Sequence, residues 1–275
     1  MIINGRDFKI GERTYIMGIL NVTPDSFSDG GKFNSIDRAR EKVKKMIYDG
    51  ADIIDVGGES TRPGYIKISD DEEISRVVPI ISMISNEFDI PISVDTYKKK
   101  VAEEAIKAGA GLINDVWGFK AEKGIADVVA EYNVACCLMH NRNNNDYDDL
   151  MDDLLMDLRE SIQIARAAGV SDDNIMLDPG IGFAKDYAQN LEVMNNLEML
   201  KVLGYPILLG TSRKSMIGIA LDLPVEERVE GTLATTVIGM MKGACDFVRV
   251  HDVLQNERAA RMTDAIIRSG GNQIG

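Results

Sequence analysis

The strongest constraint on the fold of this chain is a unit that recurs eight times along it. Each unit has a short apolar run, a polar tip and then a segment whose apolar residues have helical spacing. Runs of this kind predict parallel strands that are buried on both faces. Right-handed connections between such strands favour closure into a (β/α)8 TIM barrel, which is an α/β fold. The apolar runs span residues 15–20, 52–56, 92–94, 112–113, 134–139, 174–177, 206–209 and 247–250.

An open, doubly wound sheet is the competing arrangement, but no G-x-G-x-x-G sequence follows the first apolar run. The length of 275 residues suits one barrel domain over residues 1–275, since α/β barrels of about 250 residues form single domains. Residues 2–14 precede the first unit and predict a short N-terminal β-hairpin, with residues 2–3 and 8–10 as its arms. We expect this hairpin to plug or flank the barrel.

Helical spacing between the strands supports the same architecture. Ser35 is predicted to cap the first helix, and Gly109 to end the third. The acidic run at 146–157 has the composition of an interaction tail, but five apolar residues recur in it at helical spacing. It therefore predicts the exposed face of the fifth helix. The five residues are Leu150, Met151, Leu154, Leu155 and Leu158.

Charge and cysteine content narrow the class of partner. The net charge of −13 argues against binding to nucleic acid or to an anionic membrane. Cys136, Cys137 and Cys245 have neither paired nor metal-ligand spacing, and two histidines make a zinc site improbable. No segment has the apolar length of a signal peptide or a membrane span. We therefore expect a cytoplasmic protein. Because the net charge is negative, any anionic substrate would have to be held by a few placed basic residues.

The polar tips are the candidate functional residues, because side chains just past the strands of such a barrel gather at one face. Acids and amides dominate the tips of the third, fourth and sixth units, and cations those of the second, seventh and eighth. This division suggests a ligand with two chemically different ends. Asp95, Asn114 and Asp178 are suited to a flat, amide-like heterocycle, since a carboxylate can bind an N–C–N donor pair in a bidentate manner.

The basic tips suit the other end of such a ligand. Arg62, Arg249 and His251 could hold phosphate oxygens, and Lys214 could reach either group. Structural alternatives stay open for single positions, since Asn114 could form a turn and Arg249 could pair with the eighth helix. The loops at 21–34 and 57–71 are long and lie on the predicted ligand face, so we expect lids there.

Five segments closely resemble the dihydropteroate synthase family, in the order that the family has them. These are N-V-T-P-D-S-F-S-D-G-G at 21–31, D-V-G-G-E-S-T-R-P-G at 55–64, D-P-G-I-G-F at 178–183, S-R-K at 212–214 and R-V-H-D at 249–252. The family joins 6-hydroxymethyl-7,8-dihydropterin pyrophosphate to p-aminobenzoate, releasing pyrophosphate and forming 7,8-dihydropteroate for folate biosynthesis. The resemblance thus implies a transferase and a target of sulfonamides, which mimic p-aminobenzoate.

The resemblance also implies roles for individual residues. Arg62, Lys214, Arg249 and His251 would be catalytic. The pterin would be held by Asp95, Asn114, Met139, Asp178 and Lys214. The p-aminobenzoate pocket would comprise Phe27, Thr61, Arg62, Pro63, Phe183, Lys214 and Ser215. Pyrophosphate would be bound by Asn21, Arg62, Arg249 and His251, with Asn21 also contacting Mg²⁺.

Three further expectations follow from the resemblance. The family implies a homodimer, for which Met240 and Met241 offer weak support. Ala184 stands where the family usually has glycine, so a positive φ there would strain the backbone. Displacement at the pterin methylene carbon is expected, with bond breaking running ahead of attack by the amine. The alternatives to this function are a pterin-dependent methyltransferase and a non-catalytic pterin-binding protein.

Overall fold

The computed structural model describes residues 1–22, 31–59 and 67–269, and of residues 31–35 it describes the backbone alone. Four predicted site residues lie outside the described residues: Phe27, Thr61, Arg62 and Pro63.

A parallel sheet forms the centre of the described chain, and all eight predicted apolar runs form its strands within one or two residues of their expected bounds. The strands are β3 (Tyr15–Asn21), β4 (Ile53–Gly57), β5 (Ile92–Asp95), β6 (Leu112–Asp115), β7 (Ala135–Met139), β8 (Ile175–Asp178), β9 (Leu208–Leu209) and β10 (Phe247–Val250). Their order is β8-β7-β6-β5-β4-β3-β10-β9. An isolated parallel bridge between Leu177 and Ile207 joins the two ends of this order. The sheet is therefore a nearly closed barrel, which confirms the predicted α/β fold.

Helices surround this barrel in the described part of the chain. They are α1 (Gly31–Tyr48), α2 (Asp70–Glu87), α3 (Lys99–Ala108), α4 (Ile125–Tyr132), α5 (Leu150–Ala167), α6 (Tyr187–Asn195), α7 (Ser215–Leu221), α8 (Val229–Met241) and α9 (Val253–Ser269). Short 3-10 helices span Asp172–Asn174, Leu197–Leu203 and Val225–Glu227. None of the helices in the described residues is long and apolar enough to cross a bilayer.

Two of the three local helix predictions are confirmed. Gly109 ends α3 with a φ of 123°. The acidic run lies on α5 from Leu150 onward, with its five apolar residues buried, while residues 146–149 precede the helix. The prediction that Ser35 caps the first helix is wrong, because α1 begins at Gly31. Residues 31–34 contain no proline to stop the helix, so it extends one turn further.

The N-terminal hairpin forms and plugs the barrel, but its second arm is earlier than expected. β1 (Ile2–Ile3) pairs with β2 (Arg6–Asp7), in place of residues 8–10. Phe8 leaves the strand because its side chain enters the barrel, where it is 1% exposed. Its ring lies 4.9 Å from that of Tyr15 and 5.6 Å from that of Phe247, measured between centroids. The amino-terminal end of the barrel is thus filled by apolar side chains.

Candidate active site

Neighbouring strands bring the predicted heterocycle-binding residues together at the carboxyl-terminal end of the barrel. Asp95 on β5 is in register with Asn114 on β6, and Met139 on β7 with Asp178 on β8. All four side chains are buried. The structure therefore places the predicted acids and amide on one side of the barrel mouth, as the sequence pattern required.

Arg249 links this acidic group to a carboxylate that the sequence analysis did not assign to the site. Its Nε donates to Asp55 Oδ2 at 2.6 Å, and its Nη2 to Asp95 Oδ2 at 2.6 Å. Asn114 Nδ2 lies 3.5 Å from the same oxygen of Asp55. Asp55 is fully buried. The signal that could have revealed it is an acid within the apolar run 52–56, where an unpaired charge would be costly.

Arg249 is therefore engaged with β4 and β5, and not with the last helix, which was the structural alternative for this residue. The guanidinium has five N–H donors in a fixed fork. The contacts to Asp55 and Asp95 use Nε and Nη2. Two of the three guanidinium nitrogens therefore donate to carboxylates.

Burial dominates the electrostatics of the acidic group. It raises the pKa of the Asp95 carboxyl to about 7, although Arg249 lowers it and the Asp55 charge adds to the rise. Burial also raises the pKa of Asp178, against the lowering effects of the Gly180 N–H and of Lys214. Asp55 Oδ1 and Asp95 Oδ1 are buried without a hydrogen-bond partner among the described residues. Such oxygens are costly unless a ligand with N–H donors satisfies them.

The segment after Asp178 is a tight turn that needs small residues. Asp178 Oδ1 accepts a hydrogen bond from Gly180 N at 2.7 Å. Gly180 has a φ of 69°, and a Cβ on it would lie 2.0 Å from the carbonyl oxygen of His140. Ala184 has a φ of 46°, which confirms the strained backbone expected from its replacement of glycine.

Lys185 also stabilises this turn, although the sequence pattern did not indicate a role for it. Its Nζ lies 2.8 Å from His140 Nδ1 and donates to the carbonyl oxygens of Gly180 and Phe183, both at 3.1 Å. Burial lowers the pKa of the Lys185 ammonium to about 7 and that of His140 to about 4. The only sequence signal was the position of Lys185 at the end of the G-F-A-K motif.

An apolar wall lies next to the acidic group. Tyr97, Val116 and Met139 form a buried cluster, against which Trp117 and Phe183 pack. Asp115 supports this wall by accepting hydrogen bonds from the Trp117 and Phe119 backbone N–H groups, at 2.7 and 2.8 Å. Asp115 is thus a turn former, whereas Asn114 faces the site.

Lys214 joins the apolar wall to the acidic group. Its Nζ lies 4.0 Å from the centroid of the Phe183 ring, a distance suited to a cation–π contact. Its charge is near enough to lower the pKa of both Asp95 and Asp178. Ser215 follows directly as the first residue of α7. Of the two groups that Lys214 was predicted to reach, the structure thus places it near the acidic one; its contact with phosphate stays a prediction.

The remaining predicted residues lie at the ends of β3 and β10. Asn21 ends β3 in register with Gly57 of β4, and Gly57 is itself in register with Asp95. The Nδ1 atom of His251 lies 3.0 Å from Ser212 Oγ, and this oxygen also accepts from the His251 backbone N–H at 3.1 Å. Within the described ranges, no cluster of three or more His, Cys, Asp or Glu residues could hold a metal.

Comparison with known proteins agrees with this geometry. A family model described as pterin binding enzyme matches residues 17–251, which extend from the first barrel strand to the end of the last. The barrel and its buried acidic mouth are therefore those of a pterin-binding class of enzyme.

Individual relatives define the family more narrowly. The dihydropteroate synthase of Clostridium beijerinckii is 72% identical, over 98% of this chain and 100% of that protein. The one of Bacillus subtilis is 61% identical, over 94% of this chain and 91% of that protein. The chain therefore belongs to the dihydropteroate synthase family, which is a family of transferases.

Solved structures of the same family share the fold. Dihydropteroate synthase from Clostridium difficile, in the presence of pteroic acid, has a TM-score of 0.93 at 55% identity, over 95% of this chain and all of that one. The Yersinia pestis enzyme, in a sulfonamide drug complex, has a TM-score of 0.90 at 40% identity and covers 98% of this chain and 99% of its own. The Xanthomonas albilineans enzyme with 4-aminobenzoic acid has a TM-score of 0.88 at 39% identity and covers 93% of each chain.

Proposed function

We propose that this chain joins 6-hydroxymethyl-7,8-dihydropterin pyrophosphate to p-aminobenzoate, forming 7,8-dihydropteroate and pyrophosphate. The observation that carries the proposal is the buried acidic group, in which oxygens of Asp55 and Asp95 lack partners among the described residues. A pterin ring has N–H donors that would satisfy such oxygens. The family relatives whose structures hold pteroic acid, a sulfonamide and 4-aminobenzoic acid support the same choice of substrates.

The pterin would occupy the acidic group and its apolar wall. Asp178 would accept from the 2-amino group and ring N3, as a carboxylate does from paired donors. Lys214 would bind the carbonyl and N5 edge from its position over Phe183. Met139 would contact the face of the ring. The buried surroundings strengthen each of these polar contacts, because water competes less for the donors and acceptors.

The reaction would break the bond from the pterin methylene carbon to pyrophosphate and form a bond from that carbon to the amine nitrogen. The dihydropterin ring can delocalise positive charge from this carbon, so departure of pyrophosphate would run ahead of attack. The aromatic amine is neutral near pH 7 and needs no base beforehand; it loses its proton after attack. Catalysis would then depend on positioning the amine and on stabilising the departing charge.

Basic residues from β10 and from the segment after β4 would stabilise pyrophosphate. The Arg249 guanidinium, His251 and Arg62 would bind its oxygens, with Arg62 lying outside the described residues. Mg²⁺, when bound with the pyrophosphate, would neutralise part of its charge. The Asn21 side chain offers a carboxamide oxygen of the kind that Mg²⁺ accepts, and Mg²⁺ needs few protein ligands when it keeps water and substrate oxygens.

We also propose a homodimer formed through the last two helices. α8 packs on α9, and both expose large apolar side chains, a feature typical of protein contact surfaces. Met240 is buried, so of the two methionines named from the sequence Met241 alone contributes to this surface. The exposed side chains are Ile238, Met241, Met262, Ile266 and Ile267, at 44 to 63% exposure.

A cytoplasmic location stays a prediction.

An assay of p-aminobenzoate-dependent pyrophosphate release tests the proposed reaction. The protein is mixed with pterin pyrophosphate and Mg²⁺, with and without p-aminobenzoate, and both pyrophosphate and dihydropteroate are measured. We expect equal amounts of the two products, only when p-aminobenzoate is present. Pterin binding without release of pyrophosphate would instead point to one of the two alternatives. Methyl transfer from an added methyl-pterin donor to an acceptor would then identify the methyltransferase, and its absence the non-catalytic protein.

A further inference from the structure

A buried chain of hydrogen bonds lies behind the turn that follows Asp178, and the proposed reaction does not yet use it. We call it the turn anchor; it consists of Asp157 on α5, His140 after β7 and Lys185 before α6. The His140 side chain is fully buried. Its Nε2 lies 3.0 Å from Asp157 Oδ2, and its Nδ1 lies 2.8 Å from Lys185 Nζ. The anchor therefore runs from a helix, through an imidazole, to the lysine at the end of the turn.

The partners of the anchor fix where its protons lie. The Asp157 carboxylate accepts hydrogen bonds only, so His140 Nε2 carries the imidazole proton and Nδ1 accepts from Lys185. Burial lowers the pKa of His140 to about 4, which keeps the imidazole neutral. An ammonium group has three N–H donors, and three acceptors surround this one: His140 Nδ1 and the carbonyl oxygens of Gly180 and Phe183. The contact with the imidazole thus directs the other two donors onto the turn.

Gly180 connects the anchor to the carboxylate that is proposed to bind the pterin. Its carbonyl oxygen accepts from Lys185 Nζ at 3.1 Å, while its backbone N–H donates to Asp178 Oδ1 at 2.7 Å. Glycine has wide conformational freedom, so its N–H points in a fixed direction only if other groups hold the residue. The lysine therefore fixes the direction of the N–H that orients the Asp178 carboxylate.

Other side chains support the same turn but not the glycine that contacts Asp178. The Tyr147 hydroxyl donates to the Ala184 carbonyl oxygen at 2.7 Å. Asn190 Oδ1 accepts from the Gly182 backbone N–H at 2.6 Å. Neither contact includes Gly180. Support of the turn in general and orientation of the carboxylate are thus carried by different side chains, which makes the two roles separable by substitution.

We propose that Lys185, oriented by His140, is a positioning residue for the pterin carboxylate. It holds Gly180 so that the backbone N–H of this residue fixes Asp178 in the direction that accepts from the paired donors of the heterocycle. Lys185 acts through Gly180 and not by contact with the substrate. An uncharged lysine would still have one N–H donor for each carbonyl oxygen, so the role does not require the charge. The inference rests on the proposed function, because it assigns the pterin to Asp178.

A double-mutant cycle with Asp178 tests this role. Lys185→Met is compared in the native chain and in the Asp178→Asn background, with the dissociation constant for pterin pyrophosphate measured by calorimetry. We expect Lys185→Met to raise this constant about tenfold in the native chain, as the loss of a well-placed hydrogen bond would. In the Asp178→Asn background the increase should be less than about threefold, because the carboxylate through which the lysine acts is gone.

The cycle separates positioning from a general loss of structure. A disordered turn would weaken binding by the same factor in both backgrounds, so equal factors would overturn the inference. A change of less than about threefold in the native chain would overturn it too. Tyr147→Phe is the matched control, since it removes a hydrogen bond to the same turn that does not include Gly180. It should leave the dissociation constant within about twofold, and an effect as large as that of Lys185→Met would contradict the role of Gly180.

Two substitutions of His140 keep the inference testable if Lys185→Met does not fold. Asparagine places its amide oxygen near the position of the imidazole Nδ1, whereas the amide of glutamine reaches the position of Nε2. His140→Asn can therefore still accept from Lys185, but His140→Gln cannot. We expect His140→Gln to raise the dissociation constant for pterin pyrophosphate about fivefold and His140→Asn to leave it within about twofold. Equal changes in the two variants would overturn the inference.

The native chain is assayed first for turnover, so that the two proposals fail separately. An inactive native chain refutes the proposed function. An active native chain in which Lys185→Met has equal effects in both backgrounds refutes the positioning role alone.

Discussion

The two ends of the barrel are built from the same strands but differ in what they bury. The amino-terminal end holds Ile3 and stacked aromatic rings, with Tyr15 and Phe247 centroids 5.3 Å apart. The carboxyl-terminal end holds buried carboxylates, two of whose oxygens have no hydrogen-bond partner in the described part of the chain. One end therefore gains free energy from packing, whereas the other carries polar groups that cost free energy until a ligand binds.

This difference teaches where substitutions should affect stability and where they should affect binding. A change in the plug should lower the free energy of unfolding and leave the site intact. An isosteric change at Asp178, which lies outside the ion pair of Arg249 with Asp55 and Asp95, should weaken binding at little cost to the fold. Four substitutions test this division.

Phe8→Ala should have the largest effect, on stability alone. The ring is buried in the plug, and its removal should lower the free energy of unfolding by about 3–5 kcal/mol, measured with denaturant. Ile2→Ala on the same hairpin is the matched control, since Ile2 is 61% exposed and should cost less than about 0.5 kcal/mol. Weakened pterin binding in folded Phe8→Ala would contradict the division between the two ends.

Asp178→Asn should have the opposite effect, because it should weaken binding without lowering stability. Asparagine can still accept from Gly180 N but cannot pair with two donors of the heterocycle, so pterin pyrophosphate binding should weaken by about 1.5–3 kcal/mol in calorimetry. Burial raises the pKa of Asp178, so loss of its charge should leave the free energy of unfolding unchanged or higher. Unchanged affinity would refute the assignment of this carboxylate to the pterin.

Lys185→Met should change how stability depends on pH. Burial lowers the pKa of Lys185 from 10.5 to about 7. Between these values the unfolded chain holds a proton here that the folded chain has lost, so this lysine removes stability as the pH falls from 10.5 towards 7. The native chain should therefore gain stability relative to the variant between about pH 7 and 9.

The matched control for this pH effect is Lys107→Met. Lys107 pairs with Glu103 and Glu104 on the surface, and these bonds raise its pKa. It therefore holds its proton in both states up to about pH 9, and its difference from the native chain should not vary with pH. Thermal unfolding at several pH values measures both differences, and a pH-independent difference for Lys185→Met would contradict the lowered pKa.

Ala184→Gly should have the smallest effect, and a stabilising one. The residue has a φ of 46°, which costs alanine more than glycine, so the substitution should add about 1 kcal/mol or less to the free energy of unfolding. The same change at Ala259, in the middle of α9, should instead remove about 0.5–1 kcal/mol. Destabilisation at both positions would show that the turn at the active end carries no strain.

The barrel fold and the polar site residues at the strand ends could both be predicted from the sequence, because both follow from local patterns of apolar and polar residues. Each apolar run is buried on two sides, and the parallel topology then brings all tips to one end. Asp95, Asn114 and Asp178 could therefore be grouped without knowing any contact. The second arm of the hairpin was misplaced because the inward turn of Phe8 depends on a cavity that only the closed barrel creates.

The pairing of Arg249 could not be predicted in the same way. β10 and β4 both flank β3, and side chains from alternate strands share a layer inside such a barrel. Arg249 therefore reaches Asp55 across an intervening strand. This contact depends on which side chains point inward at one level, and strand order along the chain does not specify that. The network around Lys185 was missed for a similar reason, since His140 and the turn meet only in three dimensions.

The join between the first and last strands of the barrel order has a consequence for solvent access. β9 has only two residues. In the described residues, a single isolated bridge between Ile207, which precedes β9, and Leu177 of β8 connects the two strands. Such a seam opens locally more readily than a long ladder, so its amide hydrogens should exchange with deuterium sooner than those of β3 and β4. Asp178 and Gly210 lie directly beyond the seam on its two sides. Local opening of the pairing between β8 and β9 would thus admit water next to Asp178, the carboxylate proposed to bind the pterin. A bound pterin ring should slow the exchange of these amide hydrogens.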